Sequence, residues 1–256
     1  MTSGAIRLAA VLVAALGLAA CGSTGEPASP AAASAPATTP AADPEARLAA
    51  ATREIAAGNY RFGFQSGNVT GTGYAHRPSG SVRLDVDAKD GKDTYTMRLF
   101  VVGPDSFAKV ELNGKAVGSG GKWFALDKGK AAKTEAFAFL AAPDVGGATD
   151  LLATARSVTA RPTGELAGTV DITKVDAMAA IDEEVKDGLG AWGGAVPFTA
   201  TLDDQGRITK LVLDLSTFST VDVKAIEVTY SDYGAVTPDP KPTDTVNAPA
   251  DFYDDL

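Results

Sequence analysis

Cysteine and histidine are nearly absent from this chain of 256 residues, which holds one of each, Cys21 and His76. A lone cysteine excludes an intramolecular disulfide, so the fold must depend on its packed core. The imidazole and thiolate ligands of an ordinary zinc site are missing too. There is also no Gly-x-Ser-x-Gly motif of a serine hydrolase. We therefore expect no enzymatic activity and no cofactor or metal.

Positive charge is scarce as well. The chain has 23 Lys and Arg against 32 Asp and Glu, which gives a formal net charge of −9. Such a surface repels the phosphates of nucleic acids and of anionic lipid headgroups. We expect no nucleic-acid partner, and we expect any membrane contact to depend on an anchor and not on a basic patch.

Two groups of polar residues are candidate sites. His76 lies in an Ala-His-Arg-Pro sequence that is typical of a surface loop. Asp85, Asp87 and Asp90 resemble the start of a calcium loop, but the spacing is wrong and no glutamate closes the loop. We interpret these aspartates as the solvent face of a strand and the turn that follows it.

The chain also lacks an apolar run of the roughly 20 residues needed to span a bilayer. Arg7 instead precedes a short apolar run from Leu8 to Ala20, and small residues come directly before Cys21. This layout is typical of a secretory signal peptide, and Leu18-Ala19-Ala20-Cys21 resembles a bacterial lipobox. The resemblance implies cleavage before Cys21 and attachment of a lipid, such as palmitate, to its sulfur. The alternative is an ordinary signal peptide beside an incidental cysteine.

We therefore predict four segments. Residues 1–20 are a signal peptide, and residues 21–44 are the lipidated Cys21 followed by a flexible tether rich in Ala, Ser, Pro and Thr. Residues 45–235 form one domain, and residues 236–256 are a Pro-rich acidic C-terminal tail. The expected location is the extracytoplasmic face of the cell membrane.

The domain sequence predicts an α+β fold with a long antiparallel sheet. Asp43-Pro44-Glu45 is a helix start, and residues from Tyr60 onward alternate apolar and polar side chains between turn sequences, as in a meander. Helices are predicted over residues 130–140, 149–155 and 176–189. The clearest hairpin joins Val196–Leu202 to Ile208–Leu215 through a turn in which Gly206 adopts a positive φ.

The apolar side chains of the alternating strands have two interpretations. They fill the packed core of a sheet covered by helices, or the sheet curls and leaves a cavity for an apolar ligand. Under the second interpretation the ligand-binding residues are Phe62, Phe64, Leu84, Val86, Met97, Leu99, Val101, Phe107, Trp123, Phe198, Leu211 and Leu213.

Several short sequences in the domain resemble one known family, the actinobacterial LppX/LprG-type lipoproteins, whose domain is similar to the lipoprotein carriers LolA and LolB. They are Gly121-Lys122-Trp123-Phe124 with Asp127, Gly168-Thr169-Val170-Asp171, Val196-Pro197-Phe198 leading to Leu202-Asp203, Gly206-Arg207-Ile208, and Tyr230-Ser231-Asp232-Tyr233-Gly234.

The resemblance implies a half-open antiparallel barrel with helices packed on its concave face. It also implies an apolar pocket and the binding or transport of lipid or glycolipid in the cell envelope. The alternative function is a sensory or docking lipoprotein that uses the same fold to contact an envelope protein. An envelope hydrolase is a third hypothesis, and it requires His76 to lie beside a serine or a carboxylate in a cleft.

Overall fold

The computed structural model describes residues 43–134, 144–175, 180–181 and 183–255. The predicted signal peptide, Cys21 and nearly all of the tether lie outside the described residues. Parts of two predicted helices, at residues 135–140 and at 176–179 and 182, lie outside them too. No helix within the described ranges is long and apolar enough to cross a bilayer.

In the described residues the fold is α+β, with one 13-stranded sheet and four α-helices. The helices are α1 (Pro44–Ala56), α2 (Lys128–Ala131), α3 (Ala148–Ala153) and α4 (Glu183–Leu189). The strands are β1 (Asn59–Ser66), β2 (Val69–His76), β3 (Ser81–Asp90), β4 (Asp93–Val102), β5 (Asp105–Leu112), β6 (Lys115–Ala116), β7 (Trp123–Ala125), β8 (Arg156–Ala160), β9 (Leu166–Val170), β10 (Val196–Leu202), β11 (Ile208–Asp214), β12 (Ala225–Ser231) and β13 (Thr245–Asn247).

The sheet is curled and does not close into a barrel. Its strand order is β13-β7-β5-β4-β3-β2-β1-β12-β11-β10-β9-β8, and β6 extends β5 as a short extra strand. Every pairing is antiparallel except that of β13 with β7, which is parallel. The predicted α+β class and curled antiparallel sheet are therefore confirmed, and Gly206 has the expected positive φ of 78°.

Helix α1 begins where the sequence indicates. The Asp43 side chain accepts a hydrogen bond from the Ala46 backbone N–H at 3.2 Å, and Pro44 occupies the first turn, where its missing N–H costs nothing. Leu48, Ala51 and Ile55 share one buried face because they are three and four residues apart. This face packs α1 against α3, β8 and β1.

The concave face of the sheet carries the main core. Alternate residues of β1, β12, β11 and β10 point to this face and are buried together with side chains of α1, α3 and α4. In the β1–β2 pair each phenylalanine ring of β1 packs over a glycine of β2, because Phe62 lies opposite Gly73 and Phe64 lies opposite Gly71. A Cβ on Gly71 would overlap the Phe64 ring, and one on Gly73 would overlap the Arg83 carbonyl oxygen. These two glycines leave space for the Phe62 and Phe64 rings, which belong to the main core.

The C-terminal segment, residues 236–253, contacts both faces of the sheet. On the convex face Val236 packs with Tyr74, Phe100 and Phe107 in a second, smaller cluster. The segment then reaches the sheet edge, where β13 pairs with β7, and a 3₁₀ helix over Asp251–Asp255 follows. Phe252 ends on the concave side, with its ring 4.5 Å from the ring of Phe124. This segment is therefore part of the domain, to which it adds a strand.

We predict that Gly73→Ala destabilises the protein by about 2 kcal/mol, because the new methyl group forces the β2 backbone or the Phe62 ring to move. Gly63→Ala is the matched control, since the nearest atom to its Cβ would be the Thr229 hydroxyl oxygen, at 3.1 Å, and the next would be the Gly71 carbonyl oxygen, at 3.6 Å. That variant should stay within about 0.5 kcal/mol of the parent chain. Urea unfolding of both variants measures the difference, and equal stabilities would contradict this account of Gly73.

Candidate functional site

An apolar pocket of about 440 Å³ lies on the concave face, over β3, β4 and β5. Its volume falls in the range of about 300–1,000 Å³ that is usual for small-molecule sites. The residues that line it are Val86, Ala88, Tyr95, Thr96, Met97, Val110, Val117, Gly118, Phe124, Pro249, Asp251 and Phe252.

Strand register places the floor of the pocket. Val86 of β3 is paired with Met97 of β4, and Met97 is paired with Val110 of β5, so the three side chains form one row on the concave face. Tyr95 of β4 is paired with Leu112 of β5, two residues along each strand from the Met97–Val110 pair. An antiparallel ladder puts directly opposed residues on the same face, and this is why the row is continuous.

The wall of the pocket comes from the sheet edge and the C-terminal segment. Phe124 of β7 is fully buried and contacts Phe252, and Pro249 and Asp251 stand beside them. The Tyr253 hydroxyl accepts a hydrogen bond from the Asp127 backbone N–H at 2.7 Å, which fixes this end of the chain against the start of α2. Asp251 is the one charged side chain in the lining.

The pocket is open to solvent, and apolar side chains are exposed around it. Val86, Met97 and Val110 are half-buried, whereas Tyr95 and Val117 are 45% and 47% exposed. Leu112, beside Tyr95, is 38% exposed. Apolar surface left in water is favourable to cover, at about 25 cal/mol per Å². The arrangement can hold an apolar group.

The structure separates the sequence-predicted ligand-binding residues into three groups. Only Val86 and Met97 line the pocket. Most of the others belong to the main core, where helices and neighbouring strands cover them; they are Phe62, Phe64, Leu84, Leu99, Phe198, Leu211, Leu213 and the partly buried Val101. Phe107 and Trp123 lie on the convex face, in or against the second cluster. A ligand in the pocket therefore contacts neither Phe107 nor Trp123.

Sequence reasoning missed the residues that complete the pocket. Val110, Tyr95 and Phe124 stand on predicted strands, and their shared face follows only from the register of three strand pairs. Phe252 lies in the segment interpreted as a tail. Its only signal is an aromatic pair, Phe252-Tyr253, in an otherwise polar and Pro-rich stretch.

A buried carboxylate lies elsewhere in the core. Asp144 is 4% exposed and accepts hydrogen bonds from the Tyr60 hydroxyl at 2.7 Å and from the backbone N–H groups of Gly146 and Thr149 at 3.0 and 2.7 Å. Burial, together with the nearby Asp144 charge, raises the pKa of Tyr60, so this phenol remains a hydrogen-bond donor at any physiological pH. Three donors satisfy this carboxylate, and one of them is at the start of α3. We assign Asp144 the structural role of joining α3 to β1.

His76 stands at the end of β2 and contacts a serine. Its Nδ1 atom is 2.7 Å from the Ser79 hydroxyl, and that hydroxyl also donates to the His76 carbonyl oxygen at 3.3 Å. Both contacts are local to the turn at Arg77–Ser79. The His76 ring therefore lies beside a serine, which is one of the two partners that the hydrolase hypothesis names, and within the described residues no carboxylate is hydrogen-bonded to it.

Two of the three aspartates that resemble a calcium loop have other partners. Asp85 pairs with Arg83 at 2.9 Å, and Asp87 accepts a hydrogen bond from the Thr96 hydroxyl. Among the residues for which the structure gives positions, no group of three or more His, Cys, Asp or Glu could hold a metal ion.

Comparison with known proteins gives no further identification. No family model matches the chain, and no curated protein matches it.

We predict that Val86→Trp lowers the affinity for a neutral apolar probe, N-phenyl-1-naphthylamine, by about tenfold or more. The indole ring would occupy the floor of the pocket between Met97 and the Phe252 wall. Asp87→Trp is the matched control, because the same ring is added one residue along β3, on the opposite face. Fluorescence titration should leave Asp87→Trp within about threefold of the parent chain; equal losses in both variants would contradict the assignment of the pocket.

Proposed function

We propose that this protein is a membrane-anchored lipoprotein that binds the apolar chain of a lipid or glycolipid in the pocket over β3, β4 and β5. The single observation that carries the proposal is the open apolar pocket itself, with its row of Val86, Met97 and Val110. Each methylene that leaves water for such a site contributes about 0.8 kcal/mol. The ligand needs no chemistry from the protein, only an apolar site of adequate size.

Two further features support the proposal. The lipobox-like sequence before Cys21 would hold the domain close to a membrane, where lipids are found. The short sequences similar to the LppX/LprG-type lipoproteins favour the same class of ligand. The open curled sheet, with helices on its concave face, is compatible with the half-barrel of LolA and LolB. We propose that this protein shares that fold.

The first test of ligand binding uses the chain from Glu26 to Leu256, which omits the signal peptide and Cys21 and keeps every described residue. We expect native mass spectrometry of the purified protein to show an additional mass that organic solvent extracts as lipid. A clean protein mass that does not change after incubation with lipids would overturn the proposal. Val86→Trp serves as the control, since a filled pocket should lower the lipid-bound fraction.

The anchor is tested separately on the full chain. We expect the parent protein, expressed in a bacterium that processes lipoproteins, to incorporate an alkyne-labelled fatty acid and to fractionate with membranes. Cys21→Ser should lose the label, because no other thiol is present in the chain. Ser23→Ala is the control, and it should keep both label and location. Labelling of Cys21→Ser at the parent level would show that the lipobox assignment is wrong.

A docking lipoprotein is the second candidate function. The exposed apolar side chains favour it: Trp192 is 68% exposed, and Tyr95, Leu112 and Val117 are exposed near the pocket. Solvent-exposed aromatic and aliphatic groups of this size are typical of contact surfaces when they cluster. Failure to bind lipid, together with specific capture of one envelope protein that is lost in Tyr95→Ala, would favour this candidate.

A further inference from the structure

The apolar pocket over β3, β4 and β5 has a single charged side chain in its lining, and that side chain is acidic. Asp251 is exposed and begins the 3₁₀ helix of the C-terminal segment. The ion pairs of this segment involve Asp239, Lys241 and Asp244, and none within the described ranges involves Asp251. The Asp251 carboxylate is therefore free to interact with a charged group of a ligand.

Strand register places the cationic side chains of β3, β4 and β5 away from the pocket. Successive residues of a strand point to opposite faces of the sheet, and the floor residues of all three strands lie on the concave face. Each Lys or Arg of these strands is an odd number of positions from the floor residue of its own strand; they are Arg83, Lys89, Arg98 and Lys109. They therefore lie on the convex face, on the other side of the sheet from a ligand.

The concave face of the same strands carries further negative charge. Asp90 and Asp93 are paired with each other, two residues beyond the last strand pair that lines the pocket. Two residues of a strand span about 7 Å, so both carboxylates lie near that end of the pocket. Lys92 is exposed in the turn between them, and Lys115 of β6 is the cation that register places on the concave face. On that face and in the lining, three carboxylates thus stand against one ammonium group.

We propose that the pocket selects apolar ligands by the charge of their polar end, and that Asp251 favours an ammonium group over a carboxylate. This inference rests on the proposed function and deepens it, since it names amine-bearing lipids, and not free fatty acids, as the preferred class. Asp251 attracts an ammonium group and repels a carboxylate, so the two effects add when such ligands are compared. A carboxylate also finds no cationic side chain in the lining, and the Thr96 hydroxyl there already donates to Asp87.

The test compares three ligands with the same twelve-carbon chain at pH 7. Dodecylamine is cationic, dodecanol is neutral and dodecanoate is anionic. Each is titrated, below its micelle concentration or solubility limit, against N-phenyl-1-naphthylamine bound to the chain from Glu26 to Leu256. We expect dodecylamine to displace the probe from the parent protein at a concentration about tenfold lower than dodecanoate, with dodecanol between them.

Two variants change the charge at Asp251. Asp251→Asn keeps the size of the side chain, and we expect it to reduce the preference for the amine to about threefold or less. Asp251→Lys should reverse the order, so that dodecanoate displaces the probe at the lower concentration. Asp244→Asn is the matched control, because it removes the same charge from the same segment, pairs with Lys122 and does not line the pocket. It should keep the parent preference.

The outcomes separate this inference from the proposed function. A parent protein that does not bind the probe overturns the proposed function and the inference with it. A parent protein that binds the probe but does not prefer the amine to the carboxylate overturns only the inference. A preference that is unchanged in Asp251→Asn, or is lost equally in Asp244→Asn, also overturns it, provided that thermal unfolding shows the variants to be folded. A preference that is lost in Asp251→Asn and kept in Asp244→Asn supports it.

Discussion

The apolar face of a sheet must be covered, and in this protein the described helices cover it unevenly. Helices α1, α3 and α4 contribute to the core together with strands β1 and β9–β12, and the side chains there are almost fully buried. Over β3, β4 and β5 the apolar row continues, but Val86, Met97 and Val110 remain half-buried. The pocket exists because strand register continues this row beyond the core that the helices complete.

The C-terminal segment also covers apolar side chains, on both faces of the sheet. Val236 covers Tyr74, Phe100 and Phe107 on the convex side, and Phe252 covers part of Phe124 on the concave side. Its ion pairs are partly exposed and contribute little to stability on their own. Apolar burial and the β13–β7 ladder therefore hold the segment, and the ion pairs fix where it crosses the strands.

Alternation of apolar and polar residues was sufficient to predict the sheet, the hairpin at residues 196–215 and the start of α1, because those features depend on local spacing and turn chemistry. The pairing of Thr245–Asn247 with β7 was not predictable in this way. It involves three residues of ordinary composition that meet a distant strand in parallel. Phe107 shows a second limit of prediction from the sequence. The face of the sheet on which Phe107 lies depends on its pairing with Phe100, and the spacing of apolar residues in β5 alone does not determine that pairing. The pocket was accordingly only partly predictable, through Val86 and Met97.

The packed core and the open pocket lie on different parts of the concave face, so substitutions in the two parts should have different effects. Tyr60, Phe62 and Phe64 are packed against helices and against Gly71 and Gly73, so changes there leave cavities or overlaps in a dense core. Side chains on the pocket floor are half-buried, and a larger group at Val86 has open space to occupy. Variants of β1 and β2 should therefore act mainly through the free energy of unfolding. Variants of the pocket floor should also change what the pocket holds, because Val86 and Met97 pack against the edge of the core and line open space as well.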